Sequence, residues 1–275
     1  DLALLLILTL ALWALRKERD LAAGVLVALG TLFKIYPVLL LAFFVVKRRW
    51  WALAGFALGM LAFNAIAIAV MGWEMHRIYL TEVLPKIGGT TSWVENQTIF
   101  GFLSRLIAPP TEAAIFYNRT ITLLAELLAG TAALVACALA LRPARPGGTT
   151  YALQYSLFPL LMVLIVPAAW MHYETLLFIP FAALLLHLHD REVGLLRAAA
   201  LALSFALVAY GNQWSFYDGT VMGILTIVGV SYKFYGMLLL GGVLATTLLE
   251  QRVALALPRW LPLASLQRQT PRVRG

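Results

Sequence analysis

The sequence has little charge, one cysteine and few histidines. Only 12% of its 275 residues are Asp, Glu, Lys or Arg, and it holds four His. So little charge excludes an ordinary soluble domain, which needs more polar surface than this. The single Cys137 lies inside an apolar stretch and gives neither a disulfide framework nor a thiolate metal site. A Walker-type phosphate loop, a nucleotide-binding glycine fingerprint and a cytoplasmic stretch of catalytic-domain length are all missing. A site for ATP or a nucleotide sugar within this chain is therefore not expected. Metal-ligand spacing is missing too, since His187 and His189 beside Asp190 read as interfacial residues, and no cofactor is evident.

What the sequence does have is apolar surface. Hydrophobic residues make up 62% of the chain and the mean hydropathy is +0.86. Long uncharged stretches recur, residues 51 to 71 being a clean example, so membrane lipid is the expected solvent and first partner. Trp50, Trp51, Trp73, Tyr79 and Trp214 lie near the ends of such stretches, where amphipathic rings suit the headgroup layer. The expected fold is all-α, a polytopic transmembrane helix bundle. Residues 1–250 read as a single membrane domain and 251–275 as a basic cytoplasmic tail.

The formal charge of +8 does not point to nucleic acid, because the basic residues form short clusters between apolar stretches. Fifteen of the 21 Lys and Arg fall at 16–19, 47–49, 142–145, 191–197 and in the tail from Arg252. These clusters mark the cytoplasmic side. Arg77, Lys86, Arg105 and Arg119 then lie outside, and Lys34 and Lys233 fall within apolar stretches.

Residues 20 to 46 begin and end at cytoplasmic clusters, so they must cross an even number of times. The interruption is at Lys34, Tyr36 and Pro37, where proline removes a backbone donor. Each arm is ~20 Å of helix, too short for ~30 Å of hydrocarbon. The prediction is a re-entrant hairpin or two short tilted helices whose tip lines a cavity. Residues 151 to 188 follow the same parity, with an interruption holding Pro167, Trp170, His172 and Glu174. Residues 72 to 117 form one long extracytoplasmic loop, expected to fold over the outer face with short interfacial helices. Residues 213 to 218 are placed outside, and 219 to 250 are read as one long helix bent near Lys233.

Lys34 sits midway along an apolar stretch, at a cost of roughly 3 kcal/mol unless it is solvated or paired. A phosphate is its natural ligand, and snorkelling to an interface is the bland alternative. His172 lies by a hairpin tip with Trp170, Tyr173 and Glu174, and imidazole can donate to a phosphate or move a proton. Glu174 is either its orienting partner or a solvated carboxylate. Asn96, Gln97 and Arg105 supply donors and acceptors suited to sugar hydroxyls and phosphate. Glu126 reads as an inter-helix contact or a cavity residue.

Three segments in order resemble one family. Residues 24–51, GVLVALGTLFKIYPVLLLAFFVVKRRWW, are similar to a Lys-x-x-Pro helix pair with a basic end. Residues 95–106, ENQTIFGFLSRL, resemble an Asn-Gln-Ser segment with Thr98 in place of Ser. Residues 166–173, VPAAWMHY, are similar to Pro-x-x-Trp-x-His-His, with Tyr173 where the second His stands. This set resembles the polyprenyl-phosphate-mannose-dependent α-mannosyltransferases of glycosyltransferase family 87, in the GT-C fold class.

The resemblance implies an inverting hexosyltransferase that takes a sugar, commonly mannose, from a polyprenyl-phosphate donor. It gives that sugar to a glycolipid or glycan acceptor outside the cytoplasm, which suits glycolipid biosynthesis in a bacterial plasma membrane. His172 is then the expected catalytic group in this chain. Lys34, Tyr36, Asn96, Gln97, Arg105, Trp170 and Glu174 are the expected substrate-binding residues. The family's base is a carboxylate in the first outer loop. Because the chain opens at Asp1 without Met, that base is expected upstream, and Asp1 is not assigned the role. A transporter or flippase of lipid-linked saccharides is the rival reading, since it too uses broken helices.

Overall fold

A computed structural model describes residues 1–84, 89–111, 114–189, 191–211 and 224–256. Lys86, Asp190, Trp214, residues 213–218 and the tail beyond residue 256 lie outside the described residues.

The chain runs α1 (Leu2–Arg16), α2 (Asp20–Phe33), a 3-10 turn (Tyr36–Leu39), α3 (Leu40–Val46) and α4 (Trp50–Met71). Next come the short α5 (Trp73–Ile78), a π turn (Tyr79–Val83) and α6 (Ile99–Ser104), and then α7 (Arg119–Ala140) and α8 (Thr149–Leu164). A second 3-10 turn (Met171–Leu177) leads into α9 (Phe178–Leu188), followed by α10 (Leu195–Ala209), α11 (Ile224–Val230) and α12 (Tyr232–Ala256). Among the described residues, four segments are long and apolar enough to cross a membrane, namely Trp50–Met71, Arg119–Ala140, Met171–Leu188 and Tyr232–Glu250. The architecture is an all-α polytopic membrane bundle with short broken helices.

Helix α8 is the axis of the bundle, and every residue from Tyr151 to Leu164 is buried. Phe43 of α3 fits among Tyr151, Tyr155 and Phe158 with ring centroids 5.4 to 5.5 Å apart, in edge-on contacts that suit aromatic quadrupoles. Tyr155 donates its hydroxyl to the Leu8 carbonyl of α1 at 2.9 Å. Helix α4 is peripheral and apolar all round, with Leu58, Leu61, Ile66 and Val70 exposed. It holds to α2 through glycines. A Cβ at Gly24 would lie 1.9 Å from the Ala52 carbonyl oxygen, and one at Gly55 would lie 2.2 Å from that of Leu21. Close backbone approach of this kind replaces the hydrophobic drive that lipid does not supply.

The basic clusters converge on one end of the bundle. Lys47 Nζ donates to the Arg142 carbonyl at 2.9 Å, Arg16 to that of Gly147 at 2.7 Å, and Arg49 pairs with Asp20 at 3.3 Å. Arg197 reaches Glu250 beside them in the chain's last described helix. His187, read as interfacial, is instead buried at 3% exposure and bonded to Thr149 Oγ1. Glu126 is exposed on α7.

Both expected breaks are present. Lys34 ends α2 in an extended conformation, and Pro37 stands in the first turn after it. Residues 165–170 separate α8 from the second 3-10 turn, with Trp170 extended. The stretch read as one helix bent near Lys233 is broken two residues earlier, at Ser231. Ser231 Oγ bonds back to the Ile227 carbonyl at 2.7 Å, which competes with the continuing helix. Helix α12 also continues to Ala256, into the stretch assigned to the tail.

Candidate functional site

The two hairpin tips meet. Lys34, from the first break, places Nζ 2.8 Å from Asp1 Oδ1, and His172, from the second, places Nε2 3.5 Å from Asp1 Oδ2. One carboxylate thus stands between the ammonium and the imidazole. The Asp1 side chain is only 4% exposed, whereas that of His172 is 59% exposed and forms the open side. Tyr173 completes the cluster, with Lys34 Nζ 3.2 Å from its ring centroid and the Tyr36 ring 5.6 Å away.

Some unused hydrogen-bonding capacity lies here, as it also does at Arg105, Tyr151, Gln154 and Glu174. Asp1 Oδ2, Lys34 Nζ and Tyr36 Oη are buried atoms without a hydrogen bond of good geometry, although Lys34 and Asp1 are in ionic contact. Buried polar groups are normally satisfied, so these atoms have capacity left to accept or donate. Among the described residues no group of three or more His, Cys, Asp or Glu is placed to hold a metal ion.

Glu174 pairs with Lys233 rather than with His172. Its Oε2 lies 2.6 Å from Lys233 Nζ, with Lys233 buried and Glu174 partly buried. A cavity of about 400 Å³ opens beside this pair, lined by His172, Glu174 and Lys233 and by the apolar Phe178, Phe181 and Phe205. Trp170 stands at the start of the same turn, 38% exposed, and its carbonyl accepts the Tyr173 N–H at 2.8 Å.

Asn96, Gln97 and Arg105 differ from expectation, for they are inside the protein at 1 to 2% exposure. Asn96 Nδ2 donates to the carbonyls of Thr91 and Pro167 at 2.9 and 3.2 Å. Its Oδ1 accepts from Thr98 Oγ1 and the Ala169 N–H at 2.9 and 3.1 Å. Gln97 donates to the carbonyls of Val94 and Val230 and accepts the Phe234 N–H. Arg105 donates Nε to Ser231 Oγ at 3.0 Å, and Nη1 to the Trp93 and Asn96 carbonyls. Burial lowers its pKa to about 10, so the guanidinium remains a cation at neutral pH.

The loop that carries Asn96, Gln97 and Arg105 therefore does not present these polar groups to solvent. It plugs into the bundle and ties together the breaks at 165–170 and 231. Thr98 suits this turn because its hydroxyl caps α6, accepting the Gly101 N–H at 2.9 Å, as a serine would. Gly101 is required because a Cβ there would lie 1.9 Å from the Asn96 carbonyl oxygen. An antiparallel bridge between Thr90 and Phe116 closes the loop's base.

Compared with known protein families, residues 1–167 match Glycosyltransferase family 87. The chain belongs to this family. It is accordingly a membrane glycosyltransferase, and the transporter reading is not favoured. Neither a curated protein nor a solved structure matches the chain. The matched stretch includes Lys34, Tyr36, Asn96, Gln97 and Arg105 and ends at Pro167, just before the turn that carries Trp170, His172 and Glu174.

In this family 87 chain, sequence analysis names Asp1, Tyr173 and Lys233 without giving them a role in the site, and the structure places them against Lys34, His172 and Glu174. A signal for two of them was available. Asp1 and Lys34, and likewise Glu174 and Lys233, are opposite charges isolated in apolar surroundings, where an unpaired charge is costly.

Proposed function

We propose that this glycosyltransferase moves a hexose, mannose being the expected one, from a polyprenyl-phosphate donor to a hydroxyl of a glycolipid or glycan, with inversion. In this reading the site faces away from the cytoplasm of a bacterial plasma membrane. The orientation rests on the positive-inside rule, since the basic clusters gather at the opposite end of the bundle from Lys34 and His172.

The observation that carries the proposal is the meeting of Lys34 and His172 on one buried carboxylate, at two helix breaks within membrane-embedded segments. A donor that brings its own lipid reaches such a place directly. Lys34 would stabilise the charge that grows on the departing lipid phosphate, and His172 would donate to a phosphate oxygen or carry its proton. Fixed charges aimed at a developing anion are worth most where water is scarce. Asp1 holds both groups in register and offsets the charge of Lys34. Tyr36 offers its free hydroxyl, and the apolar cavity beside His172 suits isoprenoid units of the donor. Asn96, Gln97 and Arg105 act by fixing the breaks rather than by touching sugar, and Trp170 offers an apolar face at the open side. No cofactor enters this reading, and the donor and acceptor lipids are its small-molecule partners.

The direct test is to incubate membranes containing the protein with radiolabelled polyprenyl-phosphate-mannose, and in parallel with a radiolabelled nucleotide sugar. Label passing from the polyprenyl donor into a glycolipid or glycan fraction supports the proposal. Label passing only from the nucleotide sugar, or from neither, refutes it.

A further inference from the structure

Lys233 and Glu174 form a partly buried ion pair outside the Asp1, Lys34 and His172 cluster, and the transfer chemistry above does not use it. Its position is informative. Glu174 lies two residues after His172 on the same 3-10 turn (Met171–Leu177), a short element following an irregular segment at 165–170. Such a turn has few backbone bonds of its own to fix its depth.

Lys233 supplies an external fix. Its Nζ binds Glu174 Oε2 at 2.6 Å and the Val208 carbonyl near the end of α10 at 2.9 Å, joining three elements through one ammonium. The backbone around Lys233 is itself held by the outer loop. Arg105 binds Ser231, while Gln97 binds the Val230 carbonyl and the Phe234 N–H on either side. A continuous chain of bonds thus runs from the outer loop through the Ser231 break and Lys233 to Glu174. It ends on the turn that carries His172.

We propose that Lys233 is a positioning residue for sugar transfer, clamping Glu174 so that the His172 turn meets Asp1 and Lys34. The inference rests on the reading of His172 as part of the site. Removing the clamp lets the turn shift while Asp1, Lys34 and His172 all stay in the chain. Misplacing a reacting group by even about 1 Å costs up to about 100-fold in rate.

The test compares Lys233→Met/Glu174→Gln with the wild-type chain in detergent. The double variant leaves no buried charge unpaired and orphans only the Val208 carbonyl, so its melting temperature should fall only slightly. Its kcat should fall about 10-fold or more, with the donor KM changed by less than about threefold. Glu174→Asp is the second variant. It keeps the charge pair but draws the turn by one methylene, and it should lose kcat about fivefold or more without loss of stability. A third measurement needs no sugar donor. With Cys137→Ser and His172→Cys in place, the rate of N-ethylmaleimide labelling at position 172 reads the turn directly, and Lys233→Met/Glu174→Gln should change it by about fivefold.

Wild-type kcat in the double variant overturns the proposal. If that variant does not accumulate, wild-type kcat in Glu174→Asp does so instead, and so does a labelling rate that the double variant leaves unchanged. If the wild-type chain transfers nothing from polyprenyl-phosphate-mannose, the donor assignment fails, while the labelling rates still decide the clamp.

Discussion

The Lys34 ammonium lies 3.2 Å from the centroid of the Tyr173 ring, so the tip of one helix break rests on the face of the other. Tyr173 is the position where the resembled motif carries a second His. An aromatic face attracts a cation, whereas a protonated imidazole repels it. Tyr173→Phe should therefore keep transfer within about threefold of wild type, and Tyr173→Leu should lose about 10-fold, the equivalent of roughly 1.4 kcal/mol. Initial rates from the radiolabelled polyprenyl donor distinguish the two, and equal loss in both would mean that the hydroxyl, not the ring, matters.

Lys34→Ala and His172→Ala should each abolish measurable transfer while the protein still inserts into membranes. Insertion depends on the long apolar helices, which neither substitution alters. Lys34→Ala also leaves the Asp1 carboxylate, 4% exposed, without its cation. Near-normal transfer in both variants, with normal membrane yield, would remove these residues from the active centre.

Asn96→Ala deletes two donated and two accepted hydrogen bonds and leaves the Pro167 carbonyl and the Ala169 N–H unpaired. Counting net bond energies and unsatisfied buried groups, about 3 kcal/mol of stability should go. The expected readout is a clear fall in melting temperature in detergent. If Asn96 instead bound sugar through free polar atoms, the variant would lose donor affinity and keep its melting temperature.

The contact between α2 and α4 can be tested through its glycines. Gly24→Ala drives a Cβ to within 1.9 Å of the Ala52 carbonyl oxygen, so the helices must separate and folded yield should fall sharply. Gly130→Ala on α7 is the control, since a Cβ there meets nothing within 4 Å. It should be neutral or gain up to about 1 kcal/mol from helix propensity. Size-exclusion profiles of the two variants give the comparison.

Burial, and then the neighbouring Arg49, lower the Lys47 ammonium from 10.5 to about 8 at the basic end of the bundle. Between those values the unfolded chain holds a proton that the folded chain has released. Stability from this group therefore grows as pH rises from about 8 towards 10.5, and it is lost as pH falls through 8. The melting temperature of the wild type, measured against that of Lys47→Met, should climb over that interval. A difference that stays flat with pH contradicts the shift.

The membrane architecture, the two breaks and the end of the bundle where basic residues gather were legible in the amino-acid order alone. These follow from local quantities, namely the length of an apolar stretch, a proline that removes a donor, and the cost of moving Lys or Arg across lipid. The same order also marked Lys34 and His172, because a cation or imidazole at an apolar break stands out against its neighbours. Their partners were set by how the helices pack. That Asp1 lies between Lys34 and His172, that Glu174 turns to Lys233, and that Asn96, Gln97 and Arg105 point inward all depend on contacts between residues far apart in the chain. A polar side chain in a loop reads the same whether it meets water, a sugar or a carbonyl from another helix. In this chain helix packing makes that choice, and in apolar surroundings each buried polar group must find its bond within the protein or in a ligand.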